Sequence, residues 1–144
     1  MDHLEFLGDL AAGGRHRWTR AELDEAPESA RVDDLSRVAP GRAGRGVRFR
    51  WLVSEARPAE GAGWACLESA DGAFAASIEL EALDDAIVVH SDGDGPLTAA
   101  RGGPFRFLIP GATDACGNIK QLGRVTLSAG PLRDTRPPVD ERRC

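Results

Sequence analysis

The dipeptide Asp71-Gly72, set between two alternating stretches in GWACLESADGAFAASIELEAL, constrains this chain more than any other feature. Asp-Gly between such runs closes a two-stranded hairpin. The spacing puts Phe74, Ala76 and Ile78 on one face of its second strand. Downstream, AIVVH reads as a short buried strand and SDGDGPL as the turn cluster that ends it. FRFLI and RVTLS are the last two expected strands, bracketing the loop PGATDACGN.

Helical patterns are short. Thr19 and Glu22 have the S/T-x-x-E form of a capping box, which makes TRAELDEAP a two-turn helix closed by Pro27. In VRFRWLVSEARP, Val47, Trp51, Leu52 and Ala56 recur at helical spacing until Pro58 stops the pattern. A further short helix is expected over Leu4 to Leu10, ending at Gly13 and Gly14. With 144 residues the chain has room for one core, expected over residues 18–129, with tails at 1–17 and 130–144. The second tail, GPLRDTRPPVDERRC, has adjacent prolines, many charges and little to bury.

Apolar residues at 42% and charged residues at 28% argue against a disordered chain, and the apolar runs are too short to span a bilayer. Asp2, Glu5 and Asp9 fall where a secretory signal would need a basic start and an apolar run, so a cytoplasmic location is expected. The odd count of cysteines (Cys66, Cys116, Cys144), without a CxxC pair, agrees. A net charge of −5 argues against a nucleic-acid partner. The acidic turn SDGDGPL lacks the glutamate of a calcium loop, and His3, His16 and His90 have no metal-ligand spacing, so no metal site is expected from the protein's own side chains.

One stretch carries chemistry. Residues 102–127, GGPFRFLIPGATDACGNIKQLGRVTL, combine permissive glycines, two prolines, Arg106 and the chain's single lysine, Lys120, set against seventeen arginines. Glycine-bearing loops present successive N–H groups to an anion, and an ammonium approaches where a planar guanidinium does not fit. The bland alternative is a tight turn between two strands with ordinary surface cations.

These residues resemble the molybdopterin-binding domain of the sulfite oxidase class of oxidoreductases. The resemblance rests on Gly102, Gly103, Pro104, Arg106, Pro110, Gly111, Asn118, Ile119 and Lys120. The order GVRFRWLVSEARP, SADGAFAASIEL and DGDGPL ahead of them agrees, over about residues 18 to 128. It implies an α+β fold, a single mixed, barrel-like sheet domain with a few short helices. It also implies a molybdopterin cofactor held by Arg106, Asn118 and Lys120, with Gly111 and Gly117 allowing close backbone approach. The chain departs from the family pattern at Gln121, where the family has tryptophan, and at Asn118, where it has serine. RVDDLSRVAPGRAGRG, where the family's molybdenum-ligating cysteine would fall, has no cysteine.

Two functions follow from the resemblance. One is a molybdopterin-dependent oxidoreductase performing two-electron oxygen-atom transfer. The other is a non-catalytic pterin- or anion-binding or interaction module that keeps the fold. Cys116 is the weak catalytic candidate, a thiol beside loop N–H groups and a lysine; a small buried cysteine is the alternative. The expected partners are a small-molecule cofactor or anion, together with a redox partner or a second copy of the chain; no membrane is expected among them.

Overall fold

The computed structural model describes residues 2–93, 95–111 and 118–137. Strands β1 (Leu4–Gly8), β2 (Arg17–Trp18), β5 (Trp64–Ser69), β6 (Ala75–Glu79) and β10 (Leu122–Ser128) form one sheet in the order β2-β1-β10-β5-β6. Strands β3 (Arg31–Val32), β4 (Arg45–Arg48), β7 (Ile87–Asp92), β8 (Gly95–Pro96) and β9 (Arg106–Leu108) form a second, in which β7 pairs with β4, β8 and β9. Only β1 with β10 runs parallel, which makes the first sheet mixed. Two helices, α1 (Arg20–Asp24) and α2 (Phe49–Ala56), and three short 3-10 turns complete the regular elements among the described residues. The expected α+β class, mixed sheet with few short helices, is what the chain has; its strands divide between two sheets.

The hairpin forms as the Asp-Gly signal predicts. Asp71 Oδ1 accepts from Ala73 N at 2.9 Å and from Ser69 Oγ at 2.7 Å, closing the turn between β5 and β6. These bonds hold the Asp71 carboxyl below its ordinary range. The capping box is also present: Thr19 Oγ1 accepts from Glu22 N, and Glu22 Oε1 accepts from Thr19 N at 2.9 Å.

Three expectations are corrected. Leu4–Leu10 is not a helix, and 1–17 is not a free tail: Leu4 and Phe6 alternate onto the core at 0% and 1% exposure, and β1 lies between β2 and β10. Alternation over so few residues competes with the helical reading, and the backbone of β10 decides it. In VRFRWLVSEARP the helix starts two residues late. Val47 pairs with Val88 across β4 and β7, and α2 buries Phe49, Leu52 and Ala56 before Arg57 caps it in the left-handed region. Third, the segment after Gly130 is tied down as far as residue 137. Thr135 N donates to Ala75 O at 2.8 Å, Ser77 N donates to Asp134 Oδ2 at 3.1 Å, and Arg136 donates to Ser77 O at 3.2 Å. These bonds satisfy the open edge of β6, which otherwise presents unpaired backbone groups.

Strand β7 explains how the two sheets share a core. Val88 faces the larger apolar cluster, while Ile87 and Val89 face a smaller one with Leu35, Leu97 and Leu108. Apolar residues on both faces account for the unbroken run AIVVH. Strand β9 obeys the same two-residue period: Phe107 enters the large cluster, and Leu108 the small one. Arg106 is therefore on the side of Leu108, opposite Val89 in register.

Candidate anion site

Arg106 leaves β9 into a pocket of about 260 Å³ whose apolar floor is Leu35, Val89, Leu97 and Leu108. Two further cations line it: Arg42, from the glycine-arginine loop before β4, and Arg101, from the turn before Gly102. No carboxylate lines it among the described residues. Arg101 has its own counter-ion, Asp92, at 3.2 Å, but neither Arg42 nor Arg106 forms an ion pair with a described residue. Among the described residues the buried Arg106 Nε–H meets no acceptor, and its other arm donates only a long 3.4 Å bond to Arg101 O. Burial pushes this guanidinium below its ordinary value, and the charge of Arg42 adds to the effect. Leaving such a donor unsatisfied costs on the order of 1–3 kcal/mol, which an entering anion would recover.

Glycines 102 and 103 shape the approach. A methyl group on Gly103 would meet Leu97 O at 1.9 Å, so only glycine lets the 97–98 backbone pack there. At Gly102, whose φ is +90°, a Cβ would meet Lys120 Cγ at 3.0 Å and Arg106 Cδ at 3.2 Å. The stems of the two predicted cations thus converge on the space that glycine leaves open. Gln121 N donates to Gly102 O at 2.7 Å and fixes Lys120 beside that turn.

Their head groups then part. Lys120 is exposed and lines a second, mostly apolar cavity of about 260 Å³ with Phe74, Asn118 and Ile119. Asn118 holds the loop itself, because its Oδ1 accepts from Ile109 N at 2.9 Å, beside the bridge of Ile119 to Phe107. Gly111 has a positive φ of 74°, yet nothing lies within 4 Å of where its Cβ would be; its conformation, not close approach by any described group, is what favours glycine. Gly117 and Cys116 lie outside the described residues. Cys66, in β5, is remote from this chemistry: its Sγ is 3.3 Å from Arg133 O, and burial pushes the thiol up. Among the described residues no group of three His, Cys, Asp or Glu side chains could hold a metal ion, and no helix is long and apolar enough to cross a membrane.

Arg42 and Arg101 escape a reading of the sequence, because single arginines carry no signal in a chain with seventeen of them. PGRAGRG and RGGP, both arginine beside glycine, are the local features that could have drawn attention to them.

Behind the pocket wall, His90 on β7 is 2% exposed. Its Nδ1 lies 2.7 Å from Ser91 Oγ, and that oxygen already receives Arg20 Nε at 3.1 Å. The hydroxyl proton is then left to donate to Nδ1, which fits a neutral imidazole. Burial, with Arg45 and Arg20 acting against an opposing Asp24, pushes the histidine down to about 4 from 6.5. Between those values the unfolded chain binds a proton that the folded chain refuses. Stability should therefore fall as pH drops through 6.5 toward 4, by on the order of 3 kcal/mol, and be insensitive to this group above about pH 7. Urea unfolding of the parent and of His90→Gln across that window checks this: the variant should lose most of the slope, and an equal slope in both would exclude His90 as its source.

Comparison with known proteins sets this chain in a family. Residues 43–135 match the family model described as the oxidoreductase molybdopterin binding domain. Over 94 residues the chain is 34% identical to nitrate reductase (NADPH) of Fusarium oxysporum, a match covering 60% of this chain and 10% of the reductase. The fold resembles the crystal structure of the sulfane dehydrogenase SoxCD from Paracoccus pantotrophus, with a TM-score of 0.68 and 17% identity over 91% of this chain and 39% of that one. The chain thus spans a tenth of the length of the reductase and about two fifths of the dehydrogenase chain. The matched span holds Arg101, Arg106, Asn118 and Lys120, and it makes this chain a member of the oxidoreductase molybdopterin-binding domain family.

Proposed function

We propose that the chain binds a molybdopterin cofactor, taking its phosphate at the Arg42, Arg101 and Arg106 pocket, and serves as the cofactor-holding part of an oxidoreductase. The observation that carries this reading is the buried Arg106 Nε–H without an acceptor among the described residues, in a pocket that those residues line with three guanidinium groups and no carboxylate. The residues present fit the anionic end of such a cofactor. Arg106 would donate to phosphate oxygens, Arg42 and Arg101 would supply charge, and Leu35, Leu97 and Leu108 would keep water away from the bonds. Lys120, beside the apolar cavity with Phe74 and Ile119, suits a flat heterocycle with a polar edge. Bound in this way, the cofactor would supply two-electron oxygen-atom transfer at its molybdenum.

A second reading, a pterin- or anion-binding module without catalysis, is favoured by one observation: no cysteine borders the pocket among the described residues. One preparation separates the two. The chain, purified from a host that makes the cofactor, is assayed for molybdenum and for pterin fluorescence. Both in stoichiometric amount support the oxidoreductase; pterin alone supports the module; neither, in folded protein, overturns the proposal. Arg106→Met should lower pterin retention about tenfold or more at unchanged secondary structure, and Arg106→Lys should recover only part of it, because the forked donor is lost.

A further inference from the structure

A second pocket, of about 220 Å³, has the opposite chemistry. It is lined by Arg15, Trp18, Glu22, Trp51, Glu25 and Glu55, and shares no residue with the arginine pocket. The indoles of Trp18 and Trp51 lie 5.1 Å apart, tilted by 54°, and form an aromatic corner. The corner already holds one cation. The Arg15 guanidinium sits 4.1 Å over the Trp18 ring and pairs with Glu22, which the capping box holds in place. Glu25 and Glu55 are exposed and form no ion pair with a described residue, and Trp51 is only half-buried. Three carboxylates thus face one guanidinium. Trp18 is 2% exposed and packs into the main apolar cluster, so the ring on which Arg15 rests is held by the core.

Indole faces attract cations through the ring quadrupole, and carboxylates at the rim add charge and direction. Arg15 on Trp18 displays that recognition with the chain's own side chain as the guest. We propose that this pocket binds an organic cation on an aliphatic stem, a guanidinium or alkylammonium group, against Trp51 and between Glu25 and Glu55. The cation comes either from a free amine or from an arginine or lysine side chain of a partner; the chemistry is the same.

Tryptophan fluorescence of the whole chain, titrated with agmatine, with choline and with a blocked Ala-Arg-Ala peptide, tests this. A saturable change with each cation is expected, and none with 3,3-dimethylbutanol, the neutral isostere of choline. The double variant Glu25→Gln, Glu55→Gln, whose sites are exposed and whose melting temperature serves as the folding control, should bind about tenfold more weakly. Tighter binding of the peptide than of agmatine supports a partner's side chain; binding of agmatine at least as tight supports a free amine. An equal response to the neutral isostere, an unweakened double variant or no saturable change with any cation would overturn the proposal.

Discussion

A chain lacking residues 2–9 is expected not to fold. The segment contributes β1, which fills an interior position of its sheet between β2 and β10. Leu4 and Phe6 are 0% and 1% exposed, and truncating buried side chains of these types costs about 2–5 and 3–5 kcal/mol. The sum is about the whole stability of an ordinary domain, before the backbone bonds to β10 are counted. Four register pairs, Glu5 to Gly8 with Arg124 to Leu127, would be lost, and β10 would become an open edge prone to aggregation. Circular dichroism and size exclusion decide the matter. A truncated chain that stays soluble and melts cooperatively near the parent's temperature would show that β1 is an accessory strand. The milder Phe6→Ala should remain folded and lose about 3–5 kcal/mol in urea unfolding.

Why β1 was illegible, while the hairpin was plain, comes down to the range over which each is determined. Asp71-Gly72 encodes its turn in adjacent residues, and Thr19 and Glu22 cap each other three residues apart, so both can be read locally. Leu4, Phe6 and Leu10 permit a helical and an extended reading alike, and only β10, far along the chain, supplies the partner. The strap from Gly130 to residue 137 is hidden for a related reason. Its hold on β6 uses Asp134, Thr135 and Arg136, which look solvated in the sequence, against backbone groups that carry no sequence signal.

The site divides in the same way. Arg106 and Lys120 stand out because they fall in one glycine-bearing stretch, and Gly102 does bring their stems together. What the stretch cannot show is which side of β9 each residue takes. The register against β7 sends Arg106 toward Leu108 and Val89, where Arg42 arrives from a loop that no local pattern ties to β9. Asn118 looks like a ligand donor in sequence, and no local pattern shows that the acceptor end of its amide, Oδ1, also takes the Ile109 N–H and holds the loop. Short loops are often held by such side-chain to backbone bonds, and the residue types that do this are the ones that also bind ligands.

Phe49→Ala should destabilise the fold by about 3–5 kcal/mol. The ring is 1% exposed and meets Phe6 of the first sheet at 6.1 Å and Phe107 of the second, edge-on, at 5.0 Å. It is the first residue of α2, and its N–H donates to Ala86 O just ahead of β7, so the side chain is held from the backbone as well. Two aromatic contacts add about 0.5–1.5 kcal/mol each beyond the area buried, which Phe49→Leu removes while leaving most of the volume filled. That variant should therefore lose about 1–3 kcal/mol, less than alanine loses. The effect should reach the anion pocket, because Phe107 adjoins Arg106 on β9 and pairs with Ile119 ahead of Lys120. Urea unfolding measures the first expectation, and pterin retention of the still-folded leucine variant measures the second. A leucine variant as stable as the parent would mean that the rings fill space without orienting each other, and the link from core to site would then fall with them.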